Sequence, residues 1–458
     1  MPTTTSSAPA WLHSIAVVGL GKIGLPLAVQ YARHGYKVIG CDSNSQVVER
    51  LYAGESHIQE EPSLSSEVPQ LVYAGLLSAT TNIAKAIREV DVVVVIVPVG
   101  IDSEHQVDTT QIDAATSAIG ANLQPGTLVI YETTLPVGTT ARHLRTLLEQ
   151  TSQLQAGTDF YLAYSPERVS SGTIFHDLRA YPKVVGGIDV ESTTRTIAFY
   201  RSVLDAEIIP MASTDEAEFV KLIEATYRDV NIALANEYAC YADAHNLDVY
   251  ATIAAANTQP YAHIHTPGVG VGGHCIPVYP YFLFSNPYDH SQLSQAYTDQ
   301  HTLALPRQAR HINDAMAEYA IQRLEDVVGP LLQQSVLLLG VAYRGNVRET
   351  AFTSAKLLQT ALTRRGAICY VDDALFSMDE LCTLGYTALP PNAENKIVAI
   401  ILQCHHSIYQ QFDFTRFKQC KVVLDGRHAL CRTTVEAAGM HYITVGDGHY
   451  KVKHEPFE

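Results

Sequence analysis

The densest chemistry in the chain is Gly272-Gly273-His274-Cys275-Ile276-Pro277, with Pro267 and further glycines just ahead of it. A thiolate is a strong nucleophile, and flexible glycines before it let backbone amides converge on an oxyanion formed at its sulfur. That combination suits an enzyme working through an acyl thioester. Cysteine is more often a small buried hydrophobe, and the other seven cysteines are read that way. The flanking Gly-Gly-His and the prolines set Cys275 apart. Lys221 stands on an otherwise apolar stretch. It is a buried cation for a developing alkoxide, or it snorkels to solvent or pairs with Glu224 at i+3, and the residues alone favour the last two. Ser165-Pro166-Glu167-Arg168 supplies a carboxylate at another loop, with a surface salt bridge as its plainer reading.

A second group of residues fits a dinucleotide. The apolar run Ile15 to Val18 leads into Gly19-Leu20-Gly21-Lys22-Ile23-Gly24, a GxGxxG turn opening a helical stretch. Gly19 permits the tight turn, Gly21 lets the backbone approach a pyrophosphate, and Gly24 lets helix and strand pack closely. Asp42 closes the next strand, where a carboxylate accepts hydrogen bonds from the adenosine ribose and repels a 2′-phosphate, so NAD is expected over NADP. Val97-Pro98-Val99-Gly100 and Glu132-Thr133-Thr134-Leu135-Pro136-Val137-Gly138 follow later buried strands and line the same carboxyl edge.

Positioning these groups requires parallel sheets. Strand candidates 15–19, 37–41, 92–97, 128–132, 161–164 and 183–185 alternate with helical stretches, and a second series follows Pro306 at 335–340, 367–371, 397–402 and 421–424. Between them a helical pattern without Gly or Pro runs from Ser213, where Ser213 and Glu216 form a candidate capping box, to about His245. At about 1.5 Å per residue it is a spine of about 45 to 50 Å. The expected plan is α/β: a flexible tail over 1–12, a doubly wound NAD-binding domain over 13–212, a central helical domain over 213–305, and a second doubly wound domain over 306–458. No tandem repeat is evident.

Composition narrows the function. Of 458 residues, 47% are apolar and 17% charged, which excludes general disorder. Lys plus Arg number 31 against 47 Asp plus Glu, a net charge of −16 that makes nucleic acid an unsuitable partner. No stretch is long and apolar enough to span a membrane, and no secretion signal is evident at the N-terminus. Eight cysteines without CxxC or metal-ligand spacing point to reduced thiols, a cytoplasmic setting and no metal.

Taken in order, these motifs resemble the UDP-glucose/GDP-mannose dehydrogenase family along nearly the whole chain. The markers are Gly19-Leu-Gly-Lys-Ile-Gly-Leu-Pro, Thr133-Thr-Leu-Pro-Val-Gly-Thr-Thr, Ser165-Pro-Glu-Arg-Val, Lys183-Val-Val-Gly-Gly, Tyr227-Arg-Asp-Val-Asn-Ile-Ala-Leu-Ala-Asn-Glu, Gly272-Gly-His-Cys-Ile-Pro, Leu339-Gly-Val-Ala-Tyr-Arg and Asp425-Gly-Arg427. The resemblance implies two successive NAD-dependent oxidations at C6 of a nucleotide sugar. Cys275 would carry the thiohemiacetal and thioester, Lys221 would stabilise oxyanions, Glu167 would move a proton or place water, and Thr134 would order that water. Gly19, Gly21, Lys22, Ile23, Gly24, Asp42, Val97, Pro98, Thr133 and Thr134 would hold NAD. Glu167, Arg168, Val169, Lys221, Arg228, Asn231, Gly272, Gly273, Tyr343, Arg344 and Arg427 would hold the UDP-sugar. The resemblance also implies a homodimer in which Arg427 reaches the partner's site.

Two positions depart from the family pattern. An Asn one turn after the lysine is Ala225 here, and an Asp four residues after the cysteine is Tyr279. Thioester hydrolysis therefore needs another base, with His274 and Glu167 as candidates. The Lys common in the C-terminal motif is Arg344. The Tyr227–Glu237 stretch looks more like the branch acting on UDP-N-acetylhexosamines, UDP-N-acetyl-D-mannosamine above all, than like the UDP-glucose branch. A two-electron hydroxyacid dehydrogenase would leave the Gly-Gly-His-Cys segment unexplained, and a catalytically impaired nucleotide-sugar-binding protein would have no use for Cys275.

Overall fold

The computed structural model describes residues 9–286 and 303–448. The first eight residues of the expected tail, and 287–302 of the expected central domain, lie outside the described residues. The tail stops short of Leu12, which is 2% exposed and packs into the first core.

The chain forms two compact units, one of residues 1–224 with 281–293, the other of 225–280 with 294–458. The expected central stretch is shared between them. In the first unit, β1 (Ser14–Val18), β2 (Lys37–Cys41), β3 (Leu77–Thr80), β4 (Val92–Val95), β5 (Leu128–Tyr131), β6 (Tyr161–Tyr164), β7 (Lys183–Gly187) and β8 (Ile208–Pro210) make an eight-stranded sheet ordered β8-β7-β6-β5-β4-β1-β2-β3. The central strands are Val- and Ile-rich and fully buried, as strands covered on both faces must be. The sheet departs from the all-parallel expectation at one place. β7 runs antiparallel to β6, with Ala163 opposite Gly187 and Tyr164 opposite Gly186.

Helix α1 (Gly24–Arg33) follows the glycine turn, and α2 (Val190–Val203) follows β7. The long helix α3 spans Thr214–His245. Its cap is a variant of the expected box: Ser213 Oγ accepts from Glu216 N–H at 3.1 Å, but the Glu216 carboxylate accepts from Ala212 N–H, one residue before Ser213.

The second unit holds five parallel strands, β9 (Ser335–Leu339), β10 (Ile368–Asp372), β11 (Ile397–Leu402), β12 (Val422–Asp425) and β13 (His441–Thr444), ordered β10-β9-β11-β12-β13. Although the sequence shows no repeat, the two sheets share a turn atom for atom. Gly19 (φ +98°) and Gly340 (φ +86°) each end the first strand of their sheet. The next N–H, of Leu20 or Val341, donates to the Asp just beyond the second strand, Asp42 at 2.9 Å or Asp373 at 2.6 Å. The other carboxylate oxygen accepts from the residue two further on, Asn44 or Leu375. The copies differ in access: His406 Nε2 closes over Asp373 at 3.2 Å and leaves it 2% exposed, whereas Asp42 is half-buried. Only the first copy presents its carboxylate to a ligand. Among the described residues no helix is long and apolar enough to cross a membrane, and no group of His, Cys, Asp and Glu could hold a metal ion.

Candidate active site

The first unit's glycine turn has the shape a pyrophosphate needs. A Cβ on Gly19 would lie 2.8 Å from the Ile96 carbonyl oxygen, and one on Gly24 would lie 1.8 Å from that of Gly19, so both positions are closed to larger residues. A Cβ on Gly21 would meet nothing within 4 Å. That side of the backbone is open. Asp42 spends one lone pair of each oxygen on the turn, and a carboxylate has capacity for further donors. Lys22 is paired with Glu60 at 3.0 Å, and Ile23 packs on the core.

Further along the carboxyl edge, Thr133 Oγ1 donates to the Val97 carbonyl at 2.6 Å and ties together the loops after β4 and β5. Thr134 is buried beside it. Glu218 on α3, fully buried, accepts from Gly138 N–H at 2.5 Å and Thr140 N–H at 2.8 Å, and burial pushes its carboxyl up to about 8. It fixes the Thr133–Thr140 loop against the helix one turn before Lys221. Nothing in the sequence marked it, because a Glu in the first turns of a helix ordinarily serves the helix dipole. Lys221 is half-buried, and the expected pair with Glu224 does not form: Glu224 instead takes Arg168 at 2.5 Å. Among the described residues Lys221 has no hydrogen-bond or ion-pair partner. Arg168, also donating to the Pro182 carbonyl, is thereby committed to protein.

Glu167 is not a surface ion-pair residue. One of its oxygens accepts from the N–H groups of Arg168 and Val169 at 2.7 and 3.0 Å, and the other meets Lys183 Nζ at 3.2 Å. Val169 thus contributes its backbone. Lys183 also reaches Glu132 at 2.9 Å, and Glu132 accepts from the hydroxyls of Tyr31 and Tyr200. Burial alone would raise the Glu167 carboxyl, but Lys183, a hydrogen bond with Glu132 and the two N–H donors outweigh it and hold it below the usual carboxylate range. Fully buried Glu132, by contrast, is pushed up to about 7 by burial against the pull of Lys183.

In the second unit Cys275 is free and half-buried. Its carbonyl accepts from the N–H groups of Val278 and Tyr279, which starts the helix Tyr279–Phe284. The two preceding glycines have a packing cause. A Cβ on Gly272 would lie 2.9 Å from Tyr343 Cβ, and one on Gly273 (φ +103°) 3.0 Å from the Tyr343 ring. The Gly273 N–H goes to the Ala351 carbonyl at 2.9 Å, so the expected gathering of glycine amides around an oxyanion does not occur at this residue. His274 is 63% exposed and pairs with Glu349 at 3.3 Å.

A polar web that the sequence did not announce anchors this loop. Asn231 donates to the His263 carbonyl and accepts from His265 N–H. Asn236 accepts from Gly268 N–H and donates to Asn313, which donates to Asp229 beside Arg310. Arg427 donates to the carbonyls of Gln403 and Gly270 and to Ser354 Oγ, which engages three of its five N–H groups. Arg344 lies 5.8 Å from the Tyr343 ring, and Arg228 is exposed. Of the other seven cysteines, Cys41, Cys404 and Cys420 are buried as expected, Cys240 and Cys369 half-buried, and Cys382 and Cys431 exposed.

Residues 13–204 match the UDP-glucose/GDP-mannose dehydrogenase family, NAD binding domain, and residues 215–315 match the central domain of the same family. The chain belongs to that family. It is 32% identical over 428 residues to a UDP-N-acetyl-D-mannosamine dehydrogenase of Pyrococcus horikoshii, covering 91% of this chain and 96% of the relative. A solved UDP-D-ManNAc dehydrogenase from Pyrococcus horikoshii superimposes with a TM-score of 0.82 at 32% identity, over 95% of this chain and 99% of that one. A UDP-glucose dehydrogenase from Pyrobaculum islandicum reaches the same TM-score at 26% identity, over 97% and 99%. The protein is thus an NAD-dependent nucleotide-sugar dehydrogenase.

For a member of this family the glycine turn predicts two separable outcomes. Gly24→Ala forces a Cβ into the Gly19 carbonyl and should lower stability by about 1 to 3 kcal/mol. Gly21→Ala meets no protein atom, so the thermal midpoint without NAD should stay put while NAD affinity falls at least about tenfold, an effect of about 1.4 kcal/mol. Thermal melts and NAD titrations check both, and a Gly21→Ala protein with unaltered NAD affinity would remove the pyrophosphate from this turn.

Proposed function

We propose that the protein oxidises the C6 hydroxyl of a UDP-N-acetylhexosamine, UDP-N-acetyl-D-mannosamine first among them, to a carboxylate in two steps. The observation that carries this reading is the near full-length similarity to a UDP-N-acetyl-D-mannosamine dehydrogenase, in a chain that keeps a free thiol at Cys275 and a half-buried cation at Lys221. NAD, when bound at the Gly19–Gly24 turn, accepts the hydride of each oxidation.

The chain's own residues do the rest. The Lys221 ammonium stabilises negative charge developing on the C6 oxygen. Cys275 adds as thiolate to the C6 aldehyde, forming a C–S bond, and loss of the second hydride leaves a thioester. Water then attacks the thioester carbon, its proton passes to the Glu167 carboxylate, and the C–S bond breaks to return the thiolate. We assign Glu167 rather than His274 to this proton because Glu167 is held ionised by Lys183 and two N–H donors, while His274 is largely exposed and paired with Glu349. Tyr343, Arg344 and the loop held by Arg427 are assigned to the UDP moiety. The free state of all eight cysteines fits a reducing, cytoplasmic setting.

A homodimer is also proposed. Helix α3 exposes Phe219, Ile223, Tyr227, Leu234, Tyr238 and Tyr241, at spacings of three, four and seven that place them along one stripe. Replacing Leu234 and Tyr238 together by Glu should convert a dimer in sedimentation to a monomer; an unchanged dimer would move the interface elsewhere.

The reaction itself is checked by counting. With UDP-N-acetyl-D-mannosamine the protein should form two NADH per sugar and release uronate, and Cys275→Ser should lose carboxylate formation by at least about a thousandfold, or about 4 kcal/mol. One NADH with free aldehyde would reject the thioester route, turnover of UDP-glucose alone would reassign the sugar, and NAD and UDP-sugar binding without turnover across a sugar panel would leave a binding protein.

A further inference from the structure

The buried trio Glu132, Lys183 and Glu167 is more than a structural ion pair. One ammonium faces two carboxylates, at 2.9 and 3.2 Å, with side-chain exposures of 6% for Lys183, 0% for Glu132 and 11% for Glu167. Glu167 is the least buried of the three. The environments of the two carboxylates are unlike. Glu167 is held by two backbone N–H groups. Glu132 is held by the hydroxyls of Tyr31 on α1 and Tyr200 on α2, and Lys183 also lies 5.0 Å from the centre of the Tyr200 ring. Among the described residues, further charged groups near the trio are Arg168, which follows Glu167 in the chain and pairs with Glu224 of α3, and Asp177, which lines the same small cavity as Glu167 and Lys183.

A buried cluster with one positive and two negative groups carries uncompensated charge whenever both carboxylates are ionised, and such charge is costly in a dry interior. The cluster therefore favours one proton, and it must choose between two sites. Backbone N–H groups only donate, so the Glu167 oxygen they contact cannot usefully carry a proton. A tyrosine hydroxyl can donate or accept, so the Glu132 side tolerates either state. Burial pushing Glu132 up to about 7, with Glu167 held low, agrees with that choice.

We propose that Lys183 and Glu132 are positioning residues that keep Glu167 as the proton acceptor for thioester hydrolysis, Lys183 by holding it ionised and Glu132 by being the site where the cluster's proton resides. This rests on the role given to Glu167 above and extends it to two residues outside that chemistry. It also accounts for a base persisting where Ala225 and Tyr279 supply none.

Paired variants test this. Lys183→Met removes the ammonium and should raise the Glu167 titration by at least about one pH unit, while Glu132→Gln keeps a neutral group where the proton resides and should leave that titration within about half a pH unit of wild type. The direct readout is a carbon-13 carboxyl NMR titration of the full-length protein, with Glu167 assigned by Glu167→Gln. The second readout is the acid limb of kcat for uronate formation, which should move with it, costing Lys183→Met about tenfold at the pH of the wild-type limb and recovering at higher pH. Lys183→Arg keeps the charge and should stay near wild type, which also covers the case in which Lys183→Met does not fold. A Glu167 titration that does not rise in Lys183→Met, or one displaced by more than about one pH unit in Glu132→Gln, would overturn the proposal. If no UDP-sugar is turned over but the carboxyl titrations behave as stated, the trio stands and the proposed reaction falls.

Discussion

The reversal of one strand sets up the chemistry of the first unit. β7 runs antiparallel to β6 in a register that pairs Tyr164 with Gly186. Continued three residues past the end of β6, the same register sets Glu167 opposite Lys183. β5 and β6 are parallel with Tyr131 beside Tyr164, so Glu132 falls next to Ser165. A parallel β7 would have carried Lys183 to the opposite edge of the sheet, some 15 Å away at ~3.3 Å per residue. The buried ammonium and its two carboxylates thus follow from strand direction, and Ser165 Oγ, donating to the Val184 carbonyl at 2.7 Å, pins the junction.

Much of the fold was readable because buried parallel strands announce themselves as short β-branched runs. Val92–Val95, Lys37–Cys41, Tyr161–Tyr164 and Ile397–Leu402 emerge within two residues of their expected limits. The strands that escaped notice are weaker signals. Leu77–Thr80 alternates buried and exposed residues in only four positions, Ile208–Pro210 ends in a proline tolerated at a sheet edge, and His441–Thr444 begins with an exposed histidine. The alternation of strands and helices implied parallel sheets, but the reversal at β7 was not readable, since residue pattern reports burial and not polarity. That is why Lys183 was expected only as the start of a strand.

The site divides in the same way. Gly19, Gly24 and Asp42 were legible because each answers a local backbone demand that sequence spacing reveals. Glu218, Glu132 and the Asn236–Asn313–Asp229 web were not, because their partners lie tens of residues away and only the fold brings them together. The glycines before Cys275 were noticed for the right position and a different reason: their nearest neighbour is the Tyr343 side chain, at its Cβ for Gly272 and at its ring for Gly273. Arg427 likewise braces the loop at Gly270 within its own chain.

The reaction proposed for this protein takes a covalent route through the Cys275 sulfur. The most direct test is intact-protein mass spectrometry after rapid acid quenching of wild-type and Lys183→Met enzyme mixed with NAD and UDP-N-acetyl-D-mannosamine. The account predicts a UDP-sugar acyl adduct that maps to Cys275, brief in the wild type and longer-lived in the variant. NADH and uronate accumulating with no adduct on Cys275 in either protein would contradict it.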